Sequence, residues 1–225
     1  VLTLHRAALV LPDPADPTAP LHVDGAVLVR GELIEAVGPY PELAAAHPAA
    51  RVRDWGDALL TPGLRQPDGH RLLELAYHPD PREGVGDEPV PDGLVGETDG
   101  TRCGASARRG LQRMLGFGVT AVAGPFERAS VRTAVARSGL AALPGGVPVP
   151  GGVPGSAAAS GDVRDAGGGG SLDPLAVLPL AAALHGRLAV GGRADFAVFA
   201  PGADGPRAGG CRATVLGGRL VFRRR

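Results

Sequence analysis

The chain has 225 residues, which suits one domain or two small ones. With 44% hydrophobic residues and a mean hydropathy of +0.08, a core can form, but at 4% aromatics it must rest on Val, Leu and Ala. A formal net charge of zero argues against a dedicated nucleic-acid or acidic-membrane binder, and no run of about 18 apolar residues is present to span a membrane.

In chain order, residues 2–11 read as a strand stopped by the Pro- and Asp-rich turn 12–20. Residues 25–38 alternate like a β-hairpin, with Gly31 and Glu32 at the turn. Residues 41–47 read as a short helix, with Pro41 in its first turn and Pro48 ending it. Residues 52–55 and 58–60 then lead out through Thr61, Pro62 and Gly63. A polar loop rich in Pro, Gly and Asp covers 78–100. Ala107, Leu111, Met114 and Leu115 fall at helical spacing with Gly116 as the stop. Residues 119–123 form an apolar run suited to a strand buried on both faces, and 127–138 a second helix ended by Gly139. Residues 144–171, including Gly167 to Gly170, read as linker. Residues 172–185 read as a helix, followed by GGRADFAVF at 191–199 and a hairpin at 213–222.

The hairpin at 25–38 with LLTPGL at 59–64, and GGRADFAVF with VLGGRLVF at 215–222, resemble the two halves of the split β-sandwich of the amidohydrolase superfamily. The likeness is strongest to imidazolonepropionase and aminodeoxyfutalosine deaminase. The GFGVTAV stretch at 116–122 is similar to the opening units of that family's barrel. The resemblance implies an α/β or α+β chain: a small composite β-sandwich from 1–63 and 186–225, with a (β/α) barrel inserted at 64–185. That insert supplies 122 residues, 28 of them linker-like, whereas such a barrel takes about 250. A truncated barrel of two or three βα units is therefore expected. Its open strand edges call for a homo-oligomer or a protein partner.

In this family the strand after TPGL carries His-x-His, whose two imidazoles share a strand face and bind a divalent ion. The resemblance places Asp68 on the first position and His70 on the second. Asp162, in Ser160-Gly161-Asp162, resembles the final-strand aspartate and is the third candidate ligand. A catalytic zinc usually has three protein ligands plus water, and His185 is the one histidine after residue 78. The expectation is therefore a degenerate, non-catalytic relative with a binding or scaffold role and no cofactor. The alternative is a Zn- or Fe-dependent hydrolase of a cyclic C–N bond, its site completed by a partner chain. On the non-catalytic reading, replacing His70 at a strand end should change stability by no more than about 0.5 kcal/mol, as at a surface position.

Other positions carry less. His78, in His-Pro-Asp-Pro, is expected at a solvent-facing turn, and His5, His22 and His47 lie in sandwich or linker contexts. Cys103 and Cys211 show no CxxC spacing, and with no signal-peptide pattern a reduced, cytoplasmic protein with two inert thiols is expected. All 23 basic residues are Arg, as GC-rich bacterial coding produces, and Val1 fits a GTG start read literally. The lack of Lys excludes a P-loop, Schiff-base or carboxylated metal-bridging lysine. Arg223 to Arg225 read as a solvated tail.

Overall fold

The computed structural model describes residues 1–16, 18–145, 170–202 and 205–224. Asp162 and most of the expected linker lie outside them. In chain order the elements are β1 (Leu2–Val10), β2 (His22–Arg30), β3 (Leu33–Pro39), α1 (Tyr40–Ala46), β4 (Arg51–Asp54), β5 (Leu59–Pro62) and β6 (Leu64–Gln66). They continue as α2 (Gly100–Leu115), β7 (Val119–Ala123), α3 (Ala129–Ser138), β8 (Ala141–Leu143), α4 (Leu180–Ala183), β9 (Phe196–Phe199), β10 (Cys211–Leu216) and β11 (Arg219–Arg223). Two compact units result: residues 1–65, 114–121 and 173–225, and residues 66–113 and 122–172.

The first unit is built on one continuous sheet in the order β11-β10-β9-β5-β1-β2-β3, with β4 also paired to β1. Gly31 (φ 62°) closes the β2–β3 hairpin, and Gly217 and Gly218 (φ 51° and 72°) close β10–β11. A Cβ favours none of these left-handed conformations. Rather than leading out of the sheet, β5 is its joint: parallel to the end of β1 and antiparallel to β9. All four of its residues are buried, as a strand covered on both faces requires.

Side-chain alternation sorts the sheet's two faces. Ala7, Val10, Val27, Val29, Leu60, Phe196, Val198, Ala213 and Val215 share one core. Leu4, Ala26 and Leu28 face the other way, against Tyr40 and Leu43 of α1. The sheet curls because its far ends are tied to one strap. Gly191 N donates to Ile34 O, Ile34 N to Gly192 O and Gly218 N to Ala194 O, at 2.8, 2.9 and 3.0 Å. Asp195 locks the strap: its Oδ1 accepts from Gly217 N and its Oδ2 from Arg193, each at 2.7 Å.

A smaller sheet runs β6-β7-β8, so the insert follows a β-α-β-α-β order with α2 and α3 between its strands. The α2 helix begins earlier than hydrophobic spacing suggests, at Gly100 rather than near Ala107.

The helix expected over 172–185 is broken in two. A 3-10 turn at Pro174–Ala176 is capped by Asp173 Oδ1 accepting from Leu175 N, and α4 starts only after Pro179. A proline lacks the N–H that a helix interior needs, and its ring clashes with the preceding turn. Pro174 and Pro179 each therefore open a short helix instead of riding inside a long one.

Candidate functional site

The candidate residues sit where β6 gives way to a turn. Gln66, the last strand residue, is fully buried, and its Nε2 donates to Ser171 O at 2.9 Å. Its Oε1 accepts from Asp68 N at 3.1 Å. Pro67 cannot extend the ladder. Gly69 then passes so close to Ala123 that a Cβ would lie 2.4 Å from its carbonyl oxygen. A single π-helical turn, Arg71–Leu75, follows, with His70 already helical at φ −56°, ψ −56°.

This geometry corrects the expected strand face. Asp68 and His70 do not project side by side from a strand, because the strand ends at Gln66. Asp68 is exposed, and its carbonyl accepts from Leu72 N at 2.9 Å to start the helical turn. The Pro67–Gly69 turn leaves the i, i+2 rule with no strand to act on.

His70 is held by its Nδ1, which lies 2.9 Å from Pro125 O and 3.3 Å from Glu74 Oε2. Both neighbours are acceptors, so the ring hydrogen belongs on Nδ1 and the Nε2 lone pair is left for other use. Glu74 is itself buried, and its Oε1 accepts from Arg128 N at 2.7 Å. Sequence reasoning passed over Glu74 because its four-residue spacing from His70 acts only once residues 70–74 are helical.

A catalytic zinc needs about three protein ligands and a water. Among the described residues no group of three or more His, Cys, Asp or Glu side chains could hold a metal ion. His70 and an exposed Asp68 do not fit that requirement.

Three other histidines, His5, His78 and His185, are taken up by packing. His78 is fully buried rather than solvent-facing: its Nε2 lies 2.7 Å from Leu72 O, and its backbone N donates to Ser106 Oγ at 2.9 Å. Gly110 makes room for it, since a Cβ there would lie 2.6 Å from Nε2. Burial pulls its pKa down, partly countered by the Leu72 carbonyl. Burial does the same to His185, which follows α4 and donates its backbone N–H to Gly63 O at 2.8 Å. His5 is driven down to about 3, by burial first and by the charge of Arg53 second. Cys103 and Cys211 are free, buried thiols. Arg128 Nη1 donates to Cys103 Sγ at 2.7 Å, but Cys103 is shut away from solvent in the packing; burial raises Cys211 to about 11, so it stays a protonated, inert thiol.

Comparison with known proteins places the chain. Residues 25–50 match the family model described as imidazolonepropionase-like composite domain, bacteria. Over 50 residues the chain is 45% identical to the imidazolonepropionase of Pyrobaculum arsenaticum, a stretch that is 22% of this chain and 13% of that enzyme. Guanine deaminase from Bradyrhizobium japonicum superposes with a TM-score of 0.45 at 20% identity, covering 64% of this chain and 34% of that one. Helicobacter pylori aminofutalosine deaminase gives 0.44 at 16% identity, covering 64% and 33%. The chain thus spans about a third of the length of these structures and far less of the curated relative. Over residues 25–50, the chain is similar to the imidazolonepropionase-like composite domain of bacteria.

Proposed function

We propose that this protein is a degenerate, non-catalytic member of the amidohydrolase superfamily, in which the composite domain persists as a binding or scaffold module. The observation that supports this reading is that the paired imidazoles are not both present: the first position is Asp68, exposed on a turn, and among the described residues no group of three or more potential ligands gathers at His70 or elsewhere. Without such a set, no water is activated for attack on a C–N carbon. Metal content of the purified protein tests this directly. Zinc and iron far below one per chain are expected, and a near-stoichiometric content would overturn the reading.

A second reading, a metal-dependent hydrolase of a cyclic C–N bond completed by a partner chain, is favoured by one observation. The Nδ1 of His70 is oriented by a carboxylate and a carbonyl, the arrangement that presents Nε2 to a metal. It requires bound metal that is lost in His70→Ala.

Under either reading the short insert favours self-association or a protein partner. Strictly monomeric sedimentation at tens of micromolar would count against self-association. The two buried free thiols suit a reducing, cytoplasmic setting. Among the described residues no helix is long and apolar enough to cross a membrane.

A further inference from the structure

The inner face of the curled sheet is apolar along most of its length, but it ends in guanidinium groups at two sheet edges. β4 pairs with β1 and β11 with β10, and each lies at an edge. Thr3 pairs with Arg51 and His5 with Arg53, so those arginines share the face of His5, and Trp55 continues it two residues on. On β11, Arg223 pairs with the core residue Ala213. The two edges meet over the indole. The guanidinium carbons of Arg53 and Arg223 lie 5.9 and 5.8 Å from the Trp55 ring centroid, and Trp55 packs on the core beneath.

These arginines lack the carboxylates that others in the unit have. Asp54 engages Arg6, Glu35 engages Arg30, and Asp57 engages Arg212. Among the described residues no acid is bonded to Arg51, Arg53 or Arg223. Arg53 is pulled below its ordinary pKa, first by desolvation and then by the charges of Arg51 and Arg223. Like charges held together on a folded surface are unfavourable unless an anion joins them.

A second observation lies beneath them. His5 is fully buried with neither ring nitrogen bonded, and its ring stacks on Trp55 at 6.1 Å between centroids. Trp55 Nε1 is likewise buried without a partner. Buried polar groups are normally satisfied, and here the unbonded nitrogens of His5 and Trp55 lie directly beneath a rim of guanidiniums that no carboxylate offsets.

We propose that Arg53 and Arg223, gathered over Trp55, together with Arg51 on the same face of β4, form an oxyanion site that takes a phosphate group, free or carried on a small ester. Three guanidiniums offer several donor forks and a charge that suits a dianion with three exposed oxygens better than a single carboxylate. The site belongs to the composite domain and is independent of whether His70 ever holds a metal.

Trp55 is the single tryptophan of the chain, so its fluorescence reports on the site without labelling. The protein is titrated at pH 7 with sodium phosphate, with AMP, and with sodium chloride at matched ionic strength. A saturable change with phosphate or AMP and none with chloride is expected. The Arg53→Gln/Arg223→Gln double variant should weaken it at least tenfold, and Arg30→Gln should leave it unchanged, with circular dichroism confirming the fold of each. Response to AMP alone would mean that the phosphate is read on an ester, and equal responses that the phosphate group suffices. No saturable change, an equal response to chloride, or unaltered affinity in the double variant would overturn the proposal.

Discussion

Gly63 lies against the side chain of Thr120 so closely that a Cβ at residue 63 would sit 2.1 Å from both Thr120 Cγ2 and Oγ1. The glycine of the LLTPGL stretch thus serves contact between neighbouring backbone segments, not a turn. Gly63→Ala should destabilise the protein by about 1–3 kcal/mol, as overpacking does, read as a lower urea midpoint at unchanged slope. Gly63→Ala/Thr120→Ser should recover part of the loss, since it removes Cγ2, one of the three clashing Thr120 atoms. An unaltered midpoint in the single variant would show that the two segments part without cost.

His5 makes the protein sensitive to acid. Its folded pKa of about 3 lies below the ordinary 6.5, so the unfolded chain takes up a proton first as pH falls. The stability contributed by keeping His5 neutral is therefore complete above about 6.5 and erodes as pH drops toward 3, by a few kcal/mol on the order of linkage estimates. His5→Phe should flatten the acid limb of a stability-versus-pH curve while leaving neutral stability equal or higher, because both unbonded nitrogens disappear. Parallel acid limbs in the two proteins would refute it.

At His70 the structure revises the expectation from the sequence. A surface histidine would be replaceable within about 0.5 kcal/mol, but Glu74 Oε2 lies 3.3 Å from this ring and the Glu74 side chain is 3% exposed. His70→Ala should cost about 1–3 kcal/mol by leaving a buried carboxylate oxygen without its partner. His70→Ala/Glu74→Leu should be more stable than the single variant. Chemical denaturation of the three proteins decides the matter.

Residues 1–63 expressed alone should show no cooperative unfolding, since β5 would present an open edge in place of β9. A sharp thermal transition from that fragment would contradict this.

The sheet was legible where local chemistry decides it. Gly31 and the Gly217–Gly218 pair mark turns by backbone freedom alone, and alternation about them identifies the paired strands. The role of β5 was less visible, because residues 59–62 announce burial but not which strands bury them. The burial of His78 is hidden for a similar reason. His-Pro-Asp-Pro has the chemistry of a turn, and its burial depends on Gly110, 32 positions away, admitting the imidazole beside α2. The break at Pro179 is written in the sequence, but the Leu- and Ala-rich run on either side has strong helix propensity that masks it. Around His70, the four-residue link to Glu74 exists only in helical backbone, so a strand reading hides it.

Because β5 is gripped by β1 on one side and by β9 on the other, the pairing asks little of the chain between Pro62 and the strap at Gly191 beyond its return. The entropy of closing such a loop varies only with the logarithm of its length. A barrel of about 250 residues and a segment half that size differ by roughly 0.6 kcal/mol in that term. A sheet joined in this way can therefore keep folding while the segment between β5 and β9 changes greatly in length.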